Sequence, residues 1–298
     1  MNTVVPLHNK ANYFPQDSEL YFDTFERPLA FLGGHEGQYK LNSHKAIVRM
    51  VQGTHAQEPK AIGIVGKNYK VLPMKDLCQH VEDTFCSVMT KEQLEGAQTI
   101  DGTSYNGGIC MRQYIFPNIT EDIGSTSSKV GFRTIITNGY DGSSPIKFYS
   151  GAIDFFCTNG MVSGVYDLVS KKHTSGLTIT GLTSKLEKSI EIFYKQSKVF
   201  KHWVGKSITD EEALSFFKST STSERRAVQL YDQYQYEKLT HGPTVWALYS
   251  AATYYATHDI DQFKVRDTGN DNKVITLLNR ERQVRSWLNT PEFEKLAA

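Results

Sequence analysis

The stretch VGFRTIITNGYDGSSPIKFYS, residues 130–150, decides the fold class. Phe132, Thr134 and Ile136 alternate with Arg133, Ile135 and Thr137, the period of two that sends successive side chains to opposite faces of a strand. Asn138-Gly139 and Asp141-Gly142 follow, and such pairs supply the positive φ angles of tight hairpin turns. On the return strand Ile146, Phe148 and Ser150 point one way, Lys147 and Tyr149 the other. Asn159-Gly160 predicts a further turn, so the chain to about Val169 reads as a meander of antiparallel strands.

Working outward, Lys45–Val51 and Ala61–Val65 read as strands, Gly66-Lys67-Asn68 as a turn, and Tyr69–Val71 as extended chain again. Pro73 suits a first helical turn because it lacks an N–H, and Leu77, Val81, Phe85 and Val88 then share one helical face. Ile109–Phe116 predicts another strand. Residues 1 to 43 show no period and read as an irregular arm. Downstream, Leu186, Ile190, Phe193, Phe200 and Val204 fall on one helical arc, with Lys188, Lys195, His202 and Lys206 on the other. Thr209–Glu212 and Ser221–Glu224 are capping-box sequences that announce helices near 210–219 and 223–239. Pro243 opens a helix to about His258, and a last one covers about 274–288. The class is α+β: an antiparallel β-meander sheet with packed helices, followed by a helical C-terminal half. It divides into an arm (1–43), a β-rich core (44–183) and a helical region packed on that core (184–298).

The chain has 298 residues and a net charge of +1, enough length for a large core and too little charge for a uniformly basic coating protein. A local basic groove remains compatible with that balance. Cys78, Cys86, Cys110 and Cys157 show no C-x-x-C spacing and read as buried free thiols of a reducing compartment. With no leader-like N-terminus and no run of about 18 apolar residues, the expectation is a cytoplasmic protein without a membrane partner. Walker-type loops, G-x-G-x-x-G turns, H-E-x-x-H helices and G-x-S-x-G elbows are all missing from the sequence. Glu82-Asp83, Glu121-Asp122 and Asp210–Glu212 are the acidic clusters a two-metal nuclease would use, but the last fits a helix start and the others fit exposed positions. Neither catalytic residues, nor a metal, nor a cofactor is expected.

Four segments in order carry a family resemblance: Arg133–Ser144, then Phe155-Phe-Cys-Thr-Asn-Gly160, then Lys171-Lys-His-Thr174, then Gly242–His258 around Trp246. Together they resemble the phage/plasmid-like family called domain of unknown function 932, over roughly residues 44 to 288. The Trp-rich N-terminal entry common in that family is missing here, and the Trp helix reads Ala-Leu-Tyr-Ser-Ala-Ala-Thr. The resemblance implies a mobile-element setting and no settled activity. By analogy of layout alone, a strand-rich core bracketed by helices compares with phage strand-annealing proteins of the RecT, Erf and Sak kind.

Bases and aromatics interleave along the expected sheet. Arg112 and Tyr114 share a strand face, as do Lys147 and Tyr149, with Arg133 on the neighbouring strand. Lys171 and Lys172 follow the meander, and Lys188, Lys195 and Lys206 line the basic side of the long helix. Gathered into one groove, these ten residues would track phosphates while bases stack on tyrosine. The leading expectation is therefore single-stranded nucleic acid as partner, DNA before RNA, for strand annealing in recombination or replication and with several copies acting together. A protein-interaction module for host-defence modulation or phage assembly is the alternative. An enzyme with an unrecognised site comes third.

Overall fold

The structure is a computed structural model describing residues 7–32, 37–53, 56–124, 129–154, 160–174, 182–258 and 271–298, with the backbone alone for 160–169, 182 and 183. Two antiparallel sheets form. The first holds β1 (Thr24–Leu32), β2 (Gln38–Gln52) and β3 (Gln57–Gly66) in that order. The second holds β4 (Gln98–Ser104), β5 (Ile109–Asp122), β6 (Lys129–Gly139), β7 (Ile146–Asp154) and β8 (Gly160–Lys171), also in chain order, which makes it a meander. Helix α1 (Met74–Val88) and the short α2 (Lys91–Leu94) lie between β3 and β4. The C-terminal half is helical: α3 (Leu182–Gly205), α4 (Asp210–Thr220), α5 (Glu224–His241), α6 (Val245–Thr257), α7 (Lys273–Leu288) and α8 (Pro291–Ala297).

The pairing register sorts the meander into two faces. Ile136 stands opposite Arg112 and Phe148, and Thr134 opposite Tyr114 and Ser150. This face is covered by α1 and α3: Phe85 lies 5.0 Å from the rings of both Tyr114 and Phe116, and Phe193 lies 5.7 Å from Phe132. A side chain such as Phe85, with no exposed surface, contributes about 1.5–3 kcal/mol by its burial. The other face carries Ile109, Met111, Ile135 and Tyr149, closed by Val274 and its neighbours on α7. Both faces are thus dry, which explains why β6 is buried from Val130 to Gly139 despite its alternating pattern. In the helical half, Phe200, Trp203, Trp246 and Tyr249 form one ring cluster, and Phe293 of α8 meets Trp203 at 5.2 Å.

Several expectations are corrected. The arm is not irregular: β1 and the start of β2 lie within it. Thr24–Leu32 carries Glu26, Arg27 and Pro28 and is an edge strand, where proline is tolerated and neither face imposes an apolar period. Asn138-Gly139 finishes β6 rather than turning, and the positive φ of that connection falls at Gly142 (79°). The box at Thr209 forms as read, with reciprocal bonds of 3.1 and 2.8 Å to Glu212. The second box does not form. Ser221 closes α4 through its N–H to Phe217, so Ser223 becomes the cap of α5. Asn159 and Cys157 lie outside the described residues, while Cys78, Cys86 and Cys110 are buried free thiols.

The first sheet rests on the meander where Gly63 meets the β6–β7 connection. A Cβ at Gly63 would stand 2.2 Å from the Tyr140 carbonyl oxygen. Ile47, Ile62 and Val65 are buried in the core. The outward face shows Phe25, Phe31, Tyr39, Leu41, Met50 and Ile64, all exposed.

Candidate nucleic-acid interface

Four of the ten expected contact residues are in the interior. Arg112 has no exposed surface; its guanidinium forks onto Asp101 at 2.7 and 2.8 Å and reaches Glu82 at 3.1 Å. It also meets the Tyr21 hydroxyl. Tyr114, equally buried, donates to Glu82 at 3.0 Å. Burial pushes the Glu82 carboxyl up to about 7, against the pull of Tyr114 and Arg112. Glu82 is therefore a core residue and not the exposed acid the sequence suggested. Arg133 is 1% exposed and bonds Gln113 (3.0 Å) and Glu281 of α7 (2.7 Å) on the opposite face of the sheet. Tyr149 is packed under α7 on that same face. These side chains join layers of the protein, and none is presented to a ligand from solvent.

Three others meet at one end of the meander. Lys147 pairs with Ser170, Ile146 with Lys171, and Lys172 follows. There the chain end of β8 lies beside the turn between β3 and α1, which brings in Lys67 and Lys70. Lys67, Lys70 and Lys172 are exposed, and Lys147 and Lys171 half-buried. None of the five has an ion-pair partner among the described residues.

Lys67 is one wall of an open cleft of about 780 Å³ whose walls also include Asn42, Ser43, Asn68 and Thr174. Lys70 and Lys172 adjoin its two ring residues in the chain, whereas Lys147 and Lys171 stand on opposite faces of the sheet. Tyr69 and His173, also lining it, are stacked with centroids 4.6 Å apart and planes 15° apart. Both rings are tied down. Tyr69 donates its hydroxyl to the Gly139 carbonyl at 2.7 Å. His173 Nδ1 lies 3.0 Å from the Lys70 carbonyl, and the Lys70 N–H donates to the His173 carbonyl at 3.2 Å. A carbonyl only accepts, so Nδ1 carries the proton and Nε2 is an acceptor. Nε2 is buried and has no partner among the described residues. Burial lowers the pKa of His173, outweighing the upward effects of the Lys70 carbonyl and Asp141, so the ring is neutral at pH 7. Asp141 itself is engaged by the N–H and hydroxyl of Ser143.

The sequence did not join Tyr69 to His173, because 103 positions separate His173 from the residue it bonds. The remaining three expected residues are elsewhere. Lys188 and Lys195 lie exposed along α3, Lys195 paired with Glu191 at 3.4 Å. Lys206 lines a separate cleft with Glu212, Glu292 and Lys295. The three described thiols are buried and held protonated, since burial pushes Cys78 and Cys110 to about 12 and Cys86 to about 11. Among the described residues there is no cluster of His, Cys, Asp and Glu that would hold a metal, and no helix long and apolar enough to cross a membrane.

A family model described as Domain of unknown function (DUF932) matches residues 61–281, which span the meander, the cleft rings and α3–α6 in full, with part of α7. No curated protein and no solved structure matches the chain.

Proposed function

The chain belongs to the family of domain of unknown function 932, and from its surface we propose that it binds single-stranded nucleic acid across the lysine-rimmed cleft at the end of β8. One observation carries this reading: Lys67, Lys70 and Lys172, with no ion-pair partner among the described residues, stand at or beside a cleft lined by a stacked ring pair. Phosphates are held by such spaced cations through release of counterions, and the sequence-independent part of binding is of this kind. Ring faces add about 1–3 kcal/mol per stacked base, and only unpaired bases present theirs. A net charge of +1 is no obstacle, because binding depends on where charges sit. DNA is the first ligand to test, in the cytoplasm where replication or recombination exposes single strands, with several copies along one strand for annealing.

The test is fluorescence anisotropy with a labelled oligo-dT of about 40 nucleotides beside matched duplex, over a salt series. Binding to the single strand should weaken with a log–log slope near −2.1 if Lys67, Lys70 and Lys172 engage, about −0.7 for each. Lys67→Ala and Lys172→Ala should each flatten the slope by about 0.7. Absence of binding at low salt and tens of micromolar protein would sink the proposal.

The outward face of β1–β3 favours a second reading, a protein-interaction module. Its exposed Phe25, Phe31, Tyr39, Leu41, Met50 and Ile64 surround one fixed charge, Arg27, and a contiguous apolar face of this kind marks interaction surfaces. Pro28 and Pro59 stand in the two edge strands and leave the face, rather than the edges, for contact. This reading leads if oligonucleotides fail to bind, and a pull-down from infected cells then follows.

A further inference from the structure

We infer that the Tyr69–His173 pair is a subsite for one unpaired nucleobase together with its phosphate, a refinement that rests on the strand-binding reading above. Lysines alone would take any polyanion. The cleft between them has features that a phosphate does not need.

The two rings are already parallel, and each is fixed at its polar end by a backbone carbonyl. A third ring stacking on such a pair orders little that is not already ordered, which is the condition for tight binding with little entropic cost. Tyr69 is only half-buried, so the platform is not sealed from the cleft. His173 is 6% exposed, lines the same cleft, and holds an acceptor nitrogen that no described residue satisfies. That nitrogen is shielded from solvent and lies in the plane of the stack, so a stacked base meets the ring faces and leaves its own polar edge for the side chains around the cleft. Asn42 and Asn68 supply both donors and acceptors for a base edge, and Ser43 and Thr174 supply hydroxyls. Lys67 stands at the same rim for the phosphate. A volume near 780 Å³ suits a nucleotide, within the range of small-ligand sites. A base inside a duplex is stacked on both sides and cannot enter.

The experiment uses the full chain and three labelled ligands of equal length and charge: oligo-dT, the same oligomer made wholly abasic, and oligo-dT with one central 2-aminopurine. The abasic strand should bind about tenfold more weakly than oligo-dT with an unchanged salt slope. The 2-aminopurine fluorescence should fall on binding to the wild type and to Tyr69→Phe, which keeps the stack, but not to Tyr69→Leu. A thermal melt checks that both variants fold. If Tyr69→Leu unfolds, the abasic comparison still decides. Equal affinity for abasic and base-bearing strands would overturn the base subsite and leave strand binding standing. Binding of neither would overturn both. Thymidine monophosphate, added as unlabelled competitor, separates the two sources of a base. Displacement only at millimolar concentration is expected for a strand site. Displacement at the strand's own concentration would make a free nucleotide the ligand and overturn the strand.

Discussion

Arg112 and Arg133 show how one residue type in one pattern takes either of two roles. On an open sheet each would be a phosphate contact. Here each is the centre of a buried ion pair, with Asp101 and Glu82 on one face and Glu281 on the other. Removing one partner of such a pair strands the other charge in the interior and costs about 3–5 kcal/mol. Arg133→Ala should therefore lower the urea midpoint substantially. The double change Arg133→Met with Glu281→Met should recover most of that loss, because two apolar side chains leave no charge unpaired. An Arg133→Ala protein as stable as the wild type would place the side chain at the surface after all. Neither role was legible from strand alternation. The pattern gives the face of a side chain, and the partner that covers it arrives from 148 positions away.

Among the elements, what the sequence disclosed was local. The Thr209 box closes over three residues, α1 follows from one apolar face, and the meander follows from period two and short connections. What it concealed was set by distant neighbours. β1 has no period because neither face is required to be dry, and α6 has little because it is surrounded on nearly every side. Tyr69 could be read as extended chain but not as half of a ring stack. Gly63 belongs with these, since nothing local marks it as the point where two sheets touch. In Gly63→Ala the new Cβ meets backbone rather than a flexible side chain, so β3 has to move. A loss of about 1–3 kcal/mol is expected, as for overpacking elsewhere. Hydrogen exchange should also quicken in the β3 amides before those of β5 and β6. Unchanged exchange in β3 would show that the sheets do not bear on each other there.

Across the whole molecule, buried ionisable groups oppose one another in their response to pH. His80, His173 and His241 have pKa values lowered by burial, so the unfolded chain takes up protons first. Their contribution is fully present above about pH 6.5 and is lost as pH falls below it. Glu82 runs the other way. With its pKa raised from 4.5 to about 7, its contribution is present at low pH and is lost as pH rises through 7. The groups facing it are Arg112, Tyr114 and Lys10. Glu82→Gln removes the second effect alone. Urea midpoints measured between pH 5 and 8 should then climb more steeply with pH in the variant than in the wild type. Parallel profiles would mean that Glu82 is ionised throughout.

Helix α7 closes the second face of the meander, supplies the carboxylate for Arg133, and has its first N–H groups capped by the Ser104 hydroxyl at the end of β4. On the ribosome those three dependencies run against the direction of synthesis. Strands β4 to β7 emerge more than a hundred residues ahead of the helix that shields them. At translation speeds of about 5–20 residues per second, the nascent sheet waits several seconds with Arg133 lacking the Glu281 carboxylate and one apolar side open to solvent. The last tenth of the chain is thus a folding requirement for the middle, and the meander is finished only when its lid arrives.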